Sequence, residues 1–460
     1  MTGRYKAYAE YKDSGVEFAP KIPVDWAVSK VSYISTFGRG LNITKANLED
    51  EGVPCVSYGE VHSKYGFEVD PNKHSLKCVS PTYIETSSFA LLLKGDFVFA
   101  DTSEDIEGSG NFTQLVSDEA LFAGYHTVIV RPEVNNYYRF LSYLFDSCEF
   151  RAQIRGAVKG VKVFSVTQAI LKNANVWLPK YEEQQKIANF LDHETAKIDT
   201  LIAKQEKLIE LLKEKRQTVI SHAVTKGLNP DAPMKDSGVE WLGEVPEHWD
   251  LLKLRFISSF GRGLGITKAN LQDTGIPCVS YGEVHSKYGF EVNVDKHALK
   301  CVSQTYLETN PECLLVEGDV IFADTSEDQD GSGNFTQLCG KERIFAGYHT
   351  VVVRFNVDLC NRFMAYVFDS ESFRNQIRTS VKGVKVFSVT QAILKNATTW
   401  LPPIKEQESI AHHLDSITLK IDSLISNQEQ AIVLMQERKT ALISAAVTGK
   451  IDVRDWQESA

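Results

Sequence analysis

Apolar residues recur at alternating steps of four and three in two long segments of the chain. The first segment carries them at Ile187, Leu191, Ile198, Leu201, Leu208, Leu212 and Val219. The second carries them at Ile410, Leu414, Ile417, Ile421, Leu424, Ala431, Met435 and Leu442. Because this heptad spacing persists for about five heptads, it predicts two coiled-coil helices, each about 60 Å long.

The two helices belong to a repeat of the whole chain. Phe37-Gly-Arg-Gly40 returns as Phe260-Gly-Arg-Gly263, and the segment 158–168 returns as 381–391, in both cases 223 residues later. A repeat unit of this length is a duplicated domain followed by a rod, too long for a solenoid repeat. We therefore expect a first globular domain at 1–180, a helix at 181–230, a second globular domain at 231–403 and a second helix at 404–460.

Short runs of β-branched and aromatic residues inside the first globular domain predict strands. These runs lie at 26–34, at 52–57, at 90–100 (as two strands joined at 94–96) and at 125–131. Aromatic residues at helical spacing predict a helix within 136–150, and another helix begins within 165–171. The globular domains are therefore expected to be α+β, and the duplication implies a pseudo-two-fold pair.

Composition restricts the class of protein. Of the 460 residues 43% are hydrophobic, yet no apolar run reaches the 18 or so residues that span a bilayer. No membrane partner is therefore expected. The eight cysteines form no CxxC pair, which argues against a zinc site, and their unpaired, scattered positions favour a reducing cytoplasm. The net charge of −10 disfavours nucleic-acid binding unless the positive charge is concentrated locally.

One segment of each repeat concentrates positive charge. Residues 151–172 contain Arg151, Arg155, Lys159, Lys162 and Lys172 and no acidic residue, and residues 374–395 repeat all five charges. Gly160 would let backbone amides approach a phosphate. The segment is interpreted as a phosphate-contacting surface, with an ordinary solvated face as the alternative.

Two polar loops in each repeat, at 58–66 and 108–114, are candidates for reading bases. Asn and Gln side chains pair with adenine and Lys with guanine, although Asn111 and Gln114 would also suit a role in satisfying turn backbone. The complete set of candidate DNA-contacting residues is Lys45, Tyr58, His62, Lys64, Tyr65, Asn111, Gln114, His126, Arg155, Lys159 and Lys162, with their repeats Lys268, Tyr281, His285, Lys287, Tyr288, Asn334, Gln337, His349, Arg378, Lys382 and Lys385.

Catalytic chemistry has weaker support in the sequence. Asp101, Glu104 and Asp105 form an acidic cluster that suits a metal or acid–base work, but a Ser/Asp-rich turn that caps backbone is commoner. A GxxxxGK[ST] phosphate loop is absent from the sequence, so no ATPase of that type is encoded. We expect no catalytic residue and no metal site in this chain.

Two junction motifs carry a resemblance to a known family. The second repeat opens with Met234-Lys-Asp-Ser-Gly-Val-Glu-Trp-Leu-Gly-Glu-Val-Pro-Glu-His-Trp249, and Trp400-Leu-Pro-Pro-Ile-Lys-Glu-Gln-Glu-Ser-Ile-Ala411 leads into its helix. The first repeat carries the second motif as Trp177-Leu-Pro-Lys-Tyr-Glu-Glu-Gln-Gln-Lys-Ile-Ala188, departing at Lys180. Over nearly its whole length the chain resembles the DNA-specificity subunit of type I restriction–modification systems.

The resemblance implies a role without catalysis. Each globular domain would be a target recognition domain that reads one half of a bipartite site in double-stranded DNA. The two helices would pack antiparallel as a ruler between the domains. They would recruit two methyltransferase subunits, and restriction/translocase subunits through them. S-adenosylmethionine and ATP would bind those partners, so no cofactor is expected in this chain.

The duplication adds an expectation for this chain in particular. Since almost all candidate reading residues recur, the target should be an inverted repeat. Two other classes of function compete with this one. A self-contained, metal-dependent DNA enzyme would use the acidic cluster at 101–105, and a plain coiled-coil scaffold would use the helices alone.

Overall fold

The computed structural model describes residues 5–133, 135–160, 162–383 and 385–457. It is mixed helix and strand, as expected. The first long helix is Tyr181–Lys226 and the second is Ile404–Val447, so both heptad segments are confirmed as helices. Val161 and Val384, which belong to the two basic segments, lie outside the described residues.

The first globular domain is built on a five-stranded sheet. Its strands follow the order Ser35–Arg39, Thr127–Pro132, Phe97–Ala100, Phe112–Leu115 and Phe67–Val69. All neighbours are antiparallel except the last pair. Side chains alternate across the sheet, so Phe97 and Phe99 enter one core while Val98 and Ala100 enter another.

Smaller elements surround this sheet. A three-stranded sheet has the order Phe122–Ala123, Val53–Val56 and Cys78–Val79. Three two-stranded pairs join Tyr11–Asp13 to Lys21–Pro23, Phe164–Ser165 to Thr102–Ser103, and Asn175–Leu178 to Ala27–Lys30. The α-helices are Tyr58–Ser63, Tyr83–Thr86, Tyr138–Asp146, Cys148–Ala157 and Gln168–Asn173, and the 3-10 helices are Val31–Tyr33, Lys45–Asn47 and Ser88–Ala90.

The second globular domain repeats this topology. Its five-stranded sheet has the order Ser258–Arg262, Thr350–Phe355, Val320–Ala323, Phe335–Leu338 and Glu291–Val292, and its three-stranded sheet has the order Cys301–Val302, Ile276–Val279 and Phe345–Ala346. The strand pairs are Met234–Asp236 with Glu244–Pro246, Asp250–Lys253 with Thr398–Leu401, and Thr325–Ser326 with Phe387–Ser388. The α-helices are Tyr281–Ser286, Tyr306–Thr309, Asn361–Asp369, Glu371–Ser380 and Gln391–Asn396, and the 3-10 helices are Leu254–Phe256, Lys268–Asn270 and Pro311–Cys313.

The compact units of the structure differ from the sequence repeats. One unit comprises Met1–Gln205 with Gln430–Ala460, and the other comprises Glu206–Glu429. Each unit therefore contains one globular domain, the start of the helix that follows it and the end of the other long helix. Leu442, Ile443 and Val447 belong to the core of the first unit, and Ile220 and Val224 belong to the core of the second.

In each unit, a buried tryptophan holds the end of the long helix that belongs to the other sequence repeat. The indole N–H of Trp177 donates to the carbonyl of Val447, and Trp400 donates in the same way to Val224. Both tryptophans are fully buried. The last carbonyls of a helix have no partner within the helix, so each indole satisfies a group that would otherwise be buried without one.

The two helix segments inside each unit run antiparallel. In the first unit Lys186 donates to the carbonyl of Arg454, while Asp199 pairs with Lys439 at 2.7 Å. In the second unit Arg216 pairs with Asp422 at 2.9 Å, and the end of the first helix reaches Trp400. The heptad positions nearest the globular domains, such as Leu191 and Leu414, are fully buried, whereas Leu208 and Leu424 are exposed.

Two expectations about local structure need correction. The run 90–93 is not a strand: Ser88–Ala90 is a 3-10 helix, and Leu91 makes only an isolated bridge to Phe122. The helix expected within 136–150 is broken at Ser147, whose side chain caps the next helix by accepting from the Phe150 amide at 3.3 Å.

We predict that Trp177→Phe destabilises the first unit selectively. Removing the indole donor leaves the Val447 carbonyl buried and unpaired, at a cost of about 1–3 kcal/mol in the free energy of unfolding. Hydrogen exchange, read separately on the strands of each unit, measures this. Trp400→Phe is the matched control and should loosen only the second unit. Equal loss of protection in both units from either variant would contradict the division described above.

Candidate nucleic-acid interface

A cleft opens beside the edge of the large sheet in the first domain. Its walls are the end of strand Ser35–Arg39, the turn before strand Thr127–Pro132 and the segment 165–168, and its volume is about 880 Å³. Arg39 pairs with Val128 in the sheet, and the chain then leaves the strand at Gly40. A Cβ on Gly40 would lie 1.9 Å from the Gly124 carbonyl oxygen, so only glycine permits this turn.

His126 projects at this cleft from a strained backbone. Its φ is +55°, a left-handed conformation that non-glycine residues rarely adopt, and His349 has the same value in the second domain. The His126 Nδ1 lies 3.2 Å from Asp101 Oδ1, and its ring packs edge-on against Tyr58. The side chain remains 57% exposed, so its other edge is open to a ligand.

Tyr125 supplies a further polar group in the cleft wall. Burial raises the pKa of the Tyr125 hydroxyl above its ordinary value, and the nearby carboxylate of Glu60 adds to the effect. The same causes raise the pKa of Tyr348 in the second domain. Both hydroxyls therefore keep their protons at neutral pH and can donate hydrogen bonds.

His62 and Asn111 form a closed hydrogen-bond network. The Asn111 amide nitrogen donates to His62 Nδ1 at 3.0 Å, so His62 carries its proton on Nε2 and donates to the Thr102 carbonyl at 2.8 Å. The Asn111 oxygen accepts from Arg151, which also pairs with Asp146. His285 and Asn334 repeat the arrangement. Since both amide atoms of Asn111 are engaged, it positions the loop beside the cleft.

The prediction that Gln114 and Gln337 read bases is wrong in this structure. Gln114 is 0% exposed and Gln337 is 2% exposed. The Gln114 amide donates to the Tyr138 carbonyl at 3.1 Å and accepts from the Ser142 hydroxyl at 2.7 Å. Both glutamines lie in central strands whose two faces are covered, so they anchor a helix to the sheet.

Tyr65 and Tyr288 also serve the fold. The Tyr65 hydroxyl donates to the Ser75 carbonyl and its ring stacks on His74. Tyr288 is buried and donates to the Ala298 carbonyl at 2.6 Å. Buried Tyr288 is therefore removed from the candidate DNA contacts, and Tyr65 is committed to its own loop.

The basic segment is not free of counter-charge, contrary to expectation. Arg155 pairs with Glu107 at 2.8 Å and Arg378 pairs with Glu371 at 2.9 Å. The lysines differ: within the described parts of the chain, Lys159, Lys162, Lys382 and Lys385 are exposed and have no acidic partner. Strand Phe164–Ser165 pairs with Thr102–Ser103 and holds this lysine loop beside the cleft.

The remaining candidates are two tyrosines that contact the cleft histidines and four lysines on the domain surfaces. The ring of Tyr58, the first residue of helix Tyr58–Ser63, packs edge-on against the His126 ring, and Tyr281 packs in the same way against His349. Lys45 and Lys268 begin exposed 3-10 helices, and Lys64 and Lys287 end short α-helices as exposed caps. These four lysines are not among the residues that line either cleft.

Sequence reasoning missed Arg39 and its repeat Arg262. Both are exposed and line their clefts, at the end of an edge strand. Lys172 adds charge nearby, with its ammonium 5.2 Å from the centre of the Phe37 ring. The signal was present in the repeated Phe-Gly-Arg-Gly motif, which brackets the arginine between two glycines.

The acidic cluster serves the local fold. Asp101 contacts His126, and Asp105 accepts from the Gly108 amide at 2.6 Å. Among the described residues, no three or more His, Cys, Asp or Glu side chains lie together in a way that could hold a metal ion. No helix in the same part of the chain has the length and apolar character needed to cross a membrane.

A family model described as "Type I restriction modification DNA specificity domain" matches residues 23–211. The chain is similar to this family over its first globular domain and the start of the first long helix. The type I restriction enzyme EcoKI specificity subunit of Escherichia coli is 23% identical over 456 residues, covering 95% of this chain and 92% of that protein. The MjaVIII specificity subunit of Methanocaldococcus jannaschii is 25% identical over 316 residues, covering 68% of this chain and 71% of that protein.

Solved structures of the family share the fold. The HsdS subunit from Thermoanaerobacter tengcongensis aligns over 94% of this chain and 98% of its own, with a TM-score of 0.52 and 15% identity. A chain from a structure on "complex assembly and conformational transition of the type I R-M system" aligns over 94% and 99%, with a TM-score of 0.69 and 16% identity. The chain therefore shares its fold with these structures across both repeats.

Proposed function

We propose that this chain is the DNA-reading subunit of a type I restriction–modification system and that each cleft reads one half of a bipartite target. The observation that carries this is the duplicated cleft, in which Arg39 and His126 recur as Arg262 and His349 on the same backbone turns. The match of residues 23–211 to the specificity-domain model and the names of the relatives as specificity subunits support the same function.

The charges explain how an acidic protein would bind DNA. The chain has a net charge of −10, but Lys159 and Lys162 form an exposed pair beside the first cleft without an acidic partner among the described residues. Their repeats, Lys382 and Lys385, do the same beside the second cleft. Such pairs would contact phosphates and set the register, while the cleft residues would contact base edges.

The proposed partners rest on the resemblance to the family. We propose that two methyltransferase subunits assemble on the long helices and carry the restriction/translocase subunits. In this proposal S-adenosylmethionine and ATP bind those partners, and the complex works in the cytoplasm. The chain itself performs no catalysis, since Asp101 and Asp105 are engaged in local contacts.

The salt dependence of DNA binding tests the phosphate contacts. Changing Lys159 and Lys382 to Glu should weaken binding to all duplex sequences, and each phosphate that is no longer neutralised should reduce the slope of log K against log salt by about one. A titration of the purified full chain across salt concentrations measures this slope. Lys204→Glu with Lys213→Glu, on the exposed side of the first long helix, is the matched control for net charge. An unchanged slope in the first variant would move the DNA surface elsewhere.

Selection from a pool of randomised duplexes tests the bipartite target. We expect the full chain to enrich an inverted repeat, because the two clefts share their central residues and two-fold proteins map onto palindromes. Half-sites about one helical turn apart, roughly 10 bp, leave an unread spacer of roughly 5–8 bp. Enrichment of two unrelated half-site sequences would show that the two clefts do not read the same bases.

Cleavage or modification of DNA by the chain alone with Mg²⁺ and S-adenosylmethionine would refute the assignment as a non-catalytic subunit.

A further inference from the structure

The two clefts differ at a small part of their rims. Comparison of the residues that line the first cleft with those 223 positions later shows two substitutions. Asn42 is replaced by Gly265, and Phe89 is replaced by Glu312. All other lining positions carry the same residue in both domains, so these two are the differences within the cleft lining itself.

Asn42 and Phe89 occupy one rim of the first cleft together with Arg39. Asn42 is exposed, and its side chain has no hydrogen-bond partner in the described part of the chain. Phe89 is 61% exposed, on the 3-10 helix Ser88–Ala90 that lies against strand Ser35–Arg39. A free amide and an open phenyl ring therefore face the same space.

These two groups match the two halves of one base pair. In the major groove a side-chain amide pairs bidentately with N6 and N7 of adenine, and an apolar side chain contacts the C5-methyl of thymine. An A·T pair presents both features on a single edge. A G·C pair offers neither the adenine pattern nor a methyl group.

The second cleft offers neither contact. Gly265 has no side chain, and Glu312, the repeat of Phe89, is exposed and is not among the residues that line the second cleft. A carboxylate at this position has the same sign of charge as the DNA backbone and cannot pack on a thymine methyl group.

We infer that Asn42 and Phe89 read one additional A·T base pair in the first half-site and that the mirrored position of the second half-site is not read as A·T. The two half-sites then have the same bases where the shared cleft residues read them and differ at one base pair. This inference rests on the proposed DNA-reading function and names two residues that set its specificity.

Exchanging the rims tests the inference. Asn42→Gly with Phe89→Glu should abolish the preference for A·T in the first half-site. Gly265→Asn with Glu312→Phe should create that preference at the mirrored position. A Cβ on Gly265 meets nothing within 4 Å and its φ is not left-handed, so the second variant keeps its fold. In the wild-type chain, replacing this A·T pair should weaken binding roughly 5- to 150-fold.

Binding of full-length chains to duplexes selected by the wild type, with each base pair substituted in turn, gives the answer. Tyr33→Glu, an exposed aromatic residue that does not line the cleft, is the control and should leave the base preferences unchanged. If the wild type selects a bipartite site but exchanging the rims leaves both half-sites unchanged, the inference is wrong and the proposed function stands. If the wild type selects no sequence at all, the proposed function falls and the inference with it.

Discussion

The hydrogen bond from a buried tryptophan to the last turn of a long helix holds each unit of this molecule together. Trp177 meets the carbonyl of Val447, and Trp400 meets that of Val224. In both cases the helix end comes from the other sequence repeat. Neither repeat alone therefore contains all the side chains that fill its own core. This exchange of helix ends explains why a duplicated sequence gives a single chain with two compact units that do not coincide with the repeats.

The large sheet and its turns determine where the cleft lies. Helices packed on one face of the large sheet cover the aromatic core, and the sheet edge at Arg39 stays open. Gly40 permits a close turn there, and the left-handed His126 turns its imidazole into the resulting cleft. Because both features recur at Gly263 and His349, the duplication preserves backbone geometry as well as side chains.

Much of this architecture can be predicted from sequence, for a physical reason. Few structures other than a long helix fit heptad spacing over about 45 residues. The pattern therefore places the start of each long helix within about a residue of Tyr181 and Ile404. The strand Thr127–Pro132 is detectable because it is rich in β-branched residues. The leucine run at 91–93 is misleading because apolar content alone does not provide a strand partner.

The site is harder to predict because it depends on contacts far apart in the sequence. Gln114 follows a loop that contains Gly108 and Gly110 and so resembles a loop residue, yet it lies in a strand with both faces buried. Arg155 has no acidic neighbour in its own segment, but Glu107 reaches it from 48 residues away. The repeated Phe-Gly-Arg-Gly motif marks Arg39 in the sequence, but the motif alone does not show which residues the arginine lies beside. Only the folded edge strand brings it to His126.

The central claim is that each cleft reads one half-site independently of the other. Base-resolution binding profiles of Arg39→Ala and Arg262→Ala chains test it most directly. We predict that each variant loses base preference in one half-site and keeps it in the other, while the spacer length is unchanged. Loss of preference in both half-sites from either single variant, or in neither, would contradict the claim.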